Sequence, residues 1–285
     1  MSLLRVMENA GVLVLLLAAR IYYCMPVLED NSLDPEDVAV LYDETVAKDT
    51  GERVAAWKMD SEVNPEEMGL YLEGDIMTPK SRNGLTAQTA RWPGGIVPYE
   101  MGSFFNNGDM AMIKAAMDEY HKKTCIRFVP RQPEHKDYLV IESSHSGCWS
   151  SVGRVGGPQR VNFQSPGCLS TVGTPIHELM HAVGFLHEQN RVERDKHVVI
   201  HWENILPGRE NNFDKAKKGY ADGQGVNYDY RSVLHYSSGA FSKNGLPTIE
   251  PKITGVEIGQ RKGFSRGDVQ KIRQMYKCSQ RPPGA

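Results

Sequence analysis

The sequence predicts an α+β domain of two lobes with a cleft between them. Three observations point there. Four strand-like runs and one amphipathic helical run crowd into residues 95–163. A second helical run, at about 173–184, closes that half and carries a cluster of histidines. The chain beyond it is irregular until a last helical pattern at 265–277, so the second lobe is expected to be rich in loops.

The elements follow in order. A short helix is expected over 34–48, DPEDVAVLYDETVAK, with Pro35 near its start. Residues 62–82 hold more turn formers, so 25–82 reads as an extended segment in front of a folded domain at 83–285. The runs GIVPY (95–99), CIRFV (125–129), YLVIE (138–142) and RVNF (160–163) are rich in β-branched and aromatic residues and are expected as strands. Between the first two, Met110, Ile113, Met117 and Tyr120 place one apolar stripe along a helix over 108–123, a core face. At the end, Ser265 and Asp268 suit a capping box for the helix at 265–277, with Val269, Ile272 and Tyr276 on its buried face.

Charge is unevenly distributed. Residues 25–82 carry 15 Asp+Glu against 5 Lys+Arg, a net of −10, whereas 83–285 carry 19 against 26, a net of +7. An acidic front segment and a basic domain should attract each other. No basic cluster with interleaved aromatics occurs, so a nucleic-acid partner is not expected. The first 24 residues hold Arg5 and an apolar run from Val12 to Ala19, which reads as a secretory signal peptide too short to be a membrane span. The remainder is therefore expected outside the cell, without membrane association once the signal is removed. Of five cysteines, Cys24 falls with the signal, leaving four, as suits a secreted disulfide-bonded domain. Four allow three pairings. Cys148 and Cys168 enclose a stretch crowded with Gly and Pro, a natural loop clip, which leaves Cys125 with Cys278.

The chemistry concentrates in HELMHAVGFLHE, residues 177–188. His177 and His181 are one helical turn apart on one face, so their imidazoles can grip one zinc ion. Glu178 is then placed to act as general base on a water at that metal. Gly184 tolerates a left-handed backbone, so the helix can stop there and the chain can bring His187 round as a third ligand. Three protein ligands leave an open position, the mark of a catalytic zinc. The zinc helix is therefore expected on the floor of the cleft.

These residues resemble the astacin family, within the metzincin zinc endopeptidases. The resemblance runs over essentially all of 83–285. It rests on HELMHAVGFLHE with its closing Glu188, on SGCWSSVGRVGG (146–157), on the four cysteines and on SVLHY (232–236). It implies an astacin-like fold, one zinc ion, and cleavage of peptide bonds in protein or peptide substrates. It implies the pairs Cys125–Cys278 and Cys148–Cys168. Tyr236 would be a further zinc ligand at rest that swings away to stabilise the oxyanion. Cleavage after Arg82 by an activating protease would free Asn83, whose ammonium would pair with Glu188. LEGDI (72–76) resembles the family's inhibitory switch, with the Asp75 carboxylate on the zinc, so 25–82 is expected to be an inhibitory propeptide. A substrate would add as a strand along an edge near 160–163 or 153–155. Astacins often favour an acidic residue just after the scissile bond. One departure stands out: Leu234 occupies the place of the methionine that packs beneath the histidines. Leucine matches it in volume and polarity, so a working site is expected. Two other readings are weaker. A protease-shaped binding protein has Leu234 as its only support, and a zinc hydrolase on an unrelated fold has no need of Gly184 and His187.

Overall fold

The computed structural model describes residues 44–77, 88–217 and 223–278 of the chain. The helix expected over 34–48 falls mostly outside them. Helix α1 (Glu44–Ala56) begins near its end and runs on through Thr50, Gly51 and Val54, which are buried. Thr and Gly are weak helix formers, so burial rather than propensity holds this stretch helical.

Six strands follow: β1 (Ile76–Met77), β2 (Ile96–Met101), β3 (Arg127–Pro130), β4 (Tyr138–Glu142), β5 (Cys148–Ser151) and β6 (Pro158–Phe163). The four expected runs are β2, β3, β4 and β6. All six join one sheet in the order β1–β5–β6–β4–β2–β3, parallel throughout except where β5 meets β6. Helix α2 (Asn107–Lys123) supplies the crossover between parallel β2 and β3. Asn106 caps it by accepting from Asp109 N at 3.0 Å, and Ile113, Met117 and Tyr120 are buried as the stripe demanded.

The sheet corrects one expectation. Residues 160–163 lie in β6, hydrogen-bonded on both sides, and cannot receive a further strand. Residues 153–155 are the loop after β5. The strand that borders the front segment is β5, which sequence reading missed because all four of its residues are buried and give no alternation. Its free side is taken by β1, with Ile76 opposite Ser150 and Met77 opposite Ser151.

Helix α3 (Gly173–Ala182) is buried on every side. A ten-residue helix is marginal alone, so its ends need partners. Gly184, at φ +108°, turns the chain back, and Gly184 N and Phe185 N donate to the carbonyls of His181 and Met180. Distant side chains satisfy the last carbonyls: Trp92 Nε1 donates to Ala182 O at 2.8 Å and the Tyr276 hydroxyl to Val183 O at 2.9 Å. Among its described residues the loop-rich remainder contains an unexpected antiparallel pair, β7 (Val198–Ile200) with β8 (Ile249–Pro251), and then helix α4 (Arg266–Met275). The Ser265–Asp268 capping box opens α4, and Ile272, Met275 and Tyr276 are buried, whereas Val269 is only half-buried. The chain is thus α+β. Disulfides join Cys125 to Cys278 and Cys148 to Cys168. Among the described residues no helix is long and apolar enough to cross a membrane.

Candidate active site

The three histidines converge. His177 Nδ1 lies 2.7 Å from Val233 O, and His181 Nδ1 lies 2.7 Å from Phe185 O. A carbonyl only accepts, so each Nδ1 carries the proton and each Nε2 presents a bare lone pair. Yet the two Nε2 atoms face each other at 3.1 Å. Two lone pairs at that distance repel unless a cation lies between them. Ligand nitrogens on a tetrahedral zinc, with bonds near 2 Å, sit about 3.3 Å apart, so the spacing fits that ion.

His187 joins from the loop beyond Gly184. A fourth potential ligand comes from the front segment. Asp75 Oδ2 is 2.9 Å from His177 Nε2 and 3.3 Å from His187 Nε2, and Oδ1 is 3.6 Å from His181 Nε2. The four buried side chains offer ligand atoms that all lie within 4.8 Å of one another. Among the described residues Asp75 Oδ1 and His187 Nε2 have no hydrogen-bond partner, as befits atoms that could face a metal. Burial pushes the Asp75 carboxyl up, but His187 and His181 outweigh it and hold it well below the usual carboxylate range.

Glu178 lies at 0 % exposure with neither carboxylate oxygen hydrogen-bonded. An acid so placed has no structural task, which suits a group that handles protons at the metal. Burial first, then the charges of Asp75 and Glu66, push its carboxyl well above its ordinary range.

The front segment occupies more of the site than Asp75 alone. Glu73 has φ +48° and Gly74 φ +83°, a left-handed bend that aims Glu73 and Asp75 together. Glu73 Oε2 lies 2.7 Å from His187 Nδ1, and the Glu73 carbonyl accepts from the Tyr236 hydroxyl at 2.6 Å. Tyr236 therefore donates to a peptide carbonyl crossing the site, with its ring 4.6 Å from that of His187. Upstream, a 3₁₀ turn (Pro65–Met68) buries two glutamates. Glu66 accepts from the Arg261 guanidinium and from Thr174 Oγ1 at 3.3 Å, and its Oε1 is 3.8 Å from His177 Nδ1. Glu67 accepts from Ser237 N at 2.7 Å and Ser237 Oγ at 2.5 Å. Glu66, Glu67, Glu73 and Arg261 were not singled out from the sequence. The signature Asn64-Pro65-Glu66-Glu67 (cap, first-turn proline, third-position glutamate) could have flagged the turn.

Glu188 is engaged by groups other than the three histidines. Oε1 accepts from Arg191 Nη1 at 2.9 Å and Asp229 N at 2.7 Å, and Oε2 from Lys271 Nζ at 2.5 Å. Arg82 and Asn83 lie outside the described residues. Leu234 is buried in the main core, one residue beyond the Val233 carbonyl that holds His177.

Comparison with known proteins agrees with this geometry. The family model described as Astacin, a peptidase family, matches residues 84–277. Zinc metalloproteinase nas-13 of Caenorhabditis elegans is 46% identical over 197 residues, covering 69% of this chain and 43% of that protein. Zinc metalloproteinase nas-4 of the same organism is 42% identical over 224 residues, covering 74% of this chain and 70% of that protein. The chain therefore spans less than half the length of the first and more than two thirds of the second. Among solved structures, high choriolytic enzyme 1, a hatching enzyme zinc-protease from Oryzias latipes, superposes with a TM-score of 0.61 at 40% identity, covering 66% of this chain and 93% of that one. With its histidine cluster, its sheet and the matched span in agreement, the chain belongs to the astacin family.

Proposed function

We propose that the chain is the precursor of a secreted zinc endopeptidase: 1–24 directs secretion, 25–82 silences the domain at 83–285, and a protease cutting after Arg82 releases its activity. The observation that carries this reading is the seat of Asp75. Its carboxylate lies among three histidine Nε2 atoms, where a zinc ion with three protein ligands would keep its fourth position for a water. A carboxylate there blocks the water, and its removal opens the place.

His177, His181 and His187 would hold the ion. When bound, zinc would supply Lewis acidity toward a scissile carbonyl and a water. Glu178 would take a proton from the attacking water and pass it to the leaving amine. Tyr236 donates to the oxyanion, and its bond to the Glu73 carbonyl supports its reach to a peptide oxygen. A substrate replaces β1 along the free side of β5 by backbone hydrogen bonds. Once the front segment leaves, Arg261, Thr174 and the Ser237 amide lose their carboxylate partners beside His177. They then favour an acidic residue next to the scissile bond.

The test compares the full precursor before and after cleavage at Arg82, with a quenched-peptide library and zinc content measured on the same samples. The cleaved protein is expected to hold one zinc, to cut peptides with acidic residues at the scissile bond, and to stop with a chelator. Glu178→Ala should lower kcat by about 10²–10⁴-fold. Its fold should be unaffected, since Glu178 makes no hydrogen bond. A cleaved, zinc-loaded protein that cuts nothing would overturn the reading.

A further inference from the structure

Glu188 follows the third histidine, and its own amide donates to Leu234 O at 3.0 Å, so it links the loop of His187 to the turn at 232–236. The side chain is 3% exposed and must be neutralised to remain charged there. The family resemblance gives that task to an ammonium freed by cleavage. In the uncut chain the carboxylate already has cations. A carboxylate has about four acceptor sites, and three are filled, by Arg191, the Asp229 amide and Lys271.

Lys271 is the more deeply placed of the two cations: its side chain is 4% exposed, against 14% for Arg191, which also pairs with Glu193. Lys271 has a second acid. Its Nζ lies 3.8 Å from Asp268 Oδ1. Asp268 in turn accepts from Ser232 Oγ at 2.6 Å and from Val233 N at 2.9 Å. Val233 O holds His177 Nδ1. One buried ammonium thus stands between two carboxylates, one tied to the loop of His187 and the other to the turn that orients His177. A cavity of about 100 Å³, bordered by His187, Glu188, Arg191 and Lys271, adjoins the pair.

We infer that Lys271 is a positioning residue of the metal site: its ammonium, supplied from within the fold, neutralises Glu188 and couples the loop of His187 to the turn behind His177, so that a freed N-terminal ammonium is dispensable for this. Its activity readout rests on the peptidase reading; its zinc readout does not.

The test uses the full precursor cleaved after Arg82. In one variant Gly-Ser is inserted between Arg82 and Asn83, so cleavage leaves two extra residues ahead of Asn83 and displaces the ammonium. The others are Lys271→Met and Lys271→Arg. Zinc loss to a chelator, kcat and KM are measured on each. Residues that orient metal ligands typically govern affinity or activity by 10–100-fold, so Lys271→Met is expected to speed zinc loss and lower kcat by at least about tenfold, with KM changed less than about threefold. Lys271→Arg keeps the charge and should remain near the parent, and so should the Gly-Ser insertion. Parental zinc retention in Lys271→Met overturns the inference, as does a Gly-Ser insertion as damaging as Lys271→Met. Should Lys271→Met fail to fold, Glu188→Gln/Lys271→Met, which leaves neither member of the pair charged, is read instead. It too is expected to lose zinc faster, and parental retention there overturns the inference. If the cleaved parent cuts no peptide, the proposed function fails while the zinc-loss rates still decide the role of Lys271.

Discussion

Asp75 lies among the three histidines, but it does not act alone there. Glu73 holds His187 from the opposite ring nitrogen and its carbonyl engages the Tyr236 hydroxyl, so two residues of one bend engage the metal ligands and the tyrosine together. Asp75→Ala in the uncut precursor is therefore expected to expose the histidines without releasing the rest of the front segment. Peptide cleavage should appear, yet stay at least about tenfold below that of the cleaved protein, because truncating one buried charge leaves the remaining hydrogen-bonded anchors in place. Full activity without cleavage would mean that Asp75 is the whole block. At this scale the sequence is readable wherever chemistry fixes spacing. The offsets of His177, His181, Gly184 and His187 are set by helix geometry and metal coordination, both local. Glu73 and Glu66 were not readable, because their partners His187 and Arg261 lie far along the chain and no local pattern marks the pairing. Leu234 was readable as a departure. Its burial in the main core supports packing as its task, and leucine is close to methionine in volume and polarity.

Elements were legible in proportion to their periodicity. Helix α2 announced itself by its stripe and α4 by its capping box, whereas β5 was invisible, buried along its whole length with serine in half its positions. The strand that sequence reading missed is the one that borders the front segment, and its return loop shows what keeps it aimed. Asp137, just before β4, accepts from Gly157 N at 2.7 Å and pairs with Arg154, tying down the turn between β5 and β6. The Gly157 amide bond, reinforced by Arg154 against an opposing effect of burial, holds the Asp137 carboxyl below its ordinary value. A carboxyl with a lower pKa folded than unfolded contributes stability above the unfolded value and loses it as pH falls through the folded value. The parent should therefore lose stability more steeply than Asp137→Asn as pH is lowered from about 5 to 3. Denaturant midpoints measured across that range check this. Parallel curves for the two proteins would mean that the ion pair is too well solvated to matter.

Across the whole molecule, the net of −10 in 25–82 against +7 in 83–285 points to attraction between front segment and domain without giving its form. Long-range attraction of that kind is screened by salt over roughly 8–10 Å and chiefly speeds encounter. What holds the segment is a set of buried contacts: Asp75 and Glu73 at the histidines, Glu66 and Glu67 against Arg261 and Ser237, and β1 along β5. These contacts exclude water and ions, so salt should change them little. Association and release should then respond to different perturbations. Added salt should slow rebinding of a cleaved front segment while leaving its release rate nearly unchanged. Glu66→Gln/Glu67→Gln, which lies wholly within the front segment and leaves the domain's own residues untouched, should act on release. Removing one side of a buried charged pair costs about 2–5 kcal/mol, so release should quicken by at least about tenfold. The measurement is the lag between cleavage at Arg82 and the onset of peptide hydrolysis, followed at low and high salt for both proteins. A lag set by salt and indifferent to Glu66→Gln/Glu67→Gln would mean that diffuse charge, and not the Arg261 clamp, retains the segment.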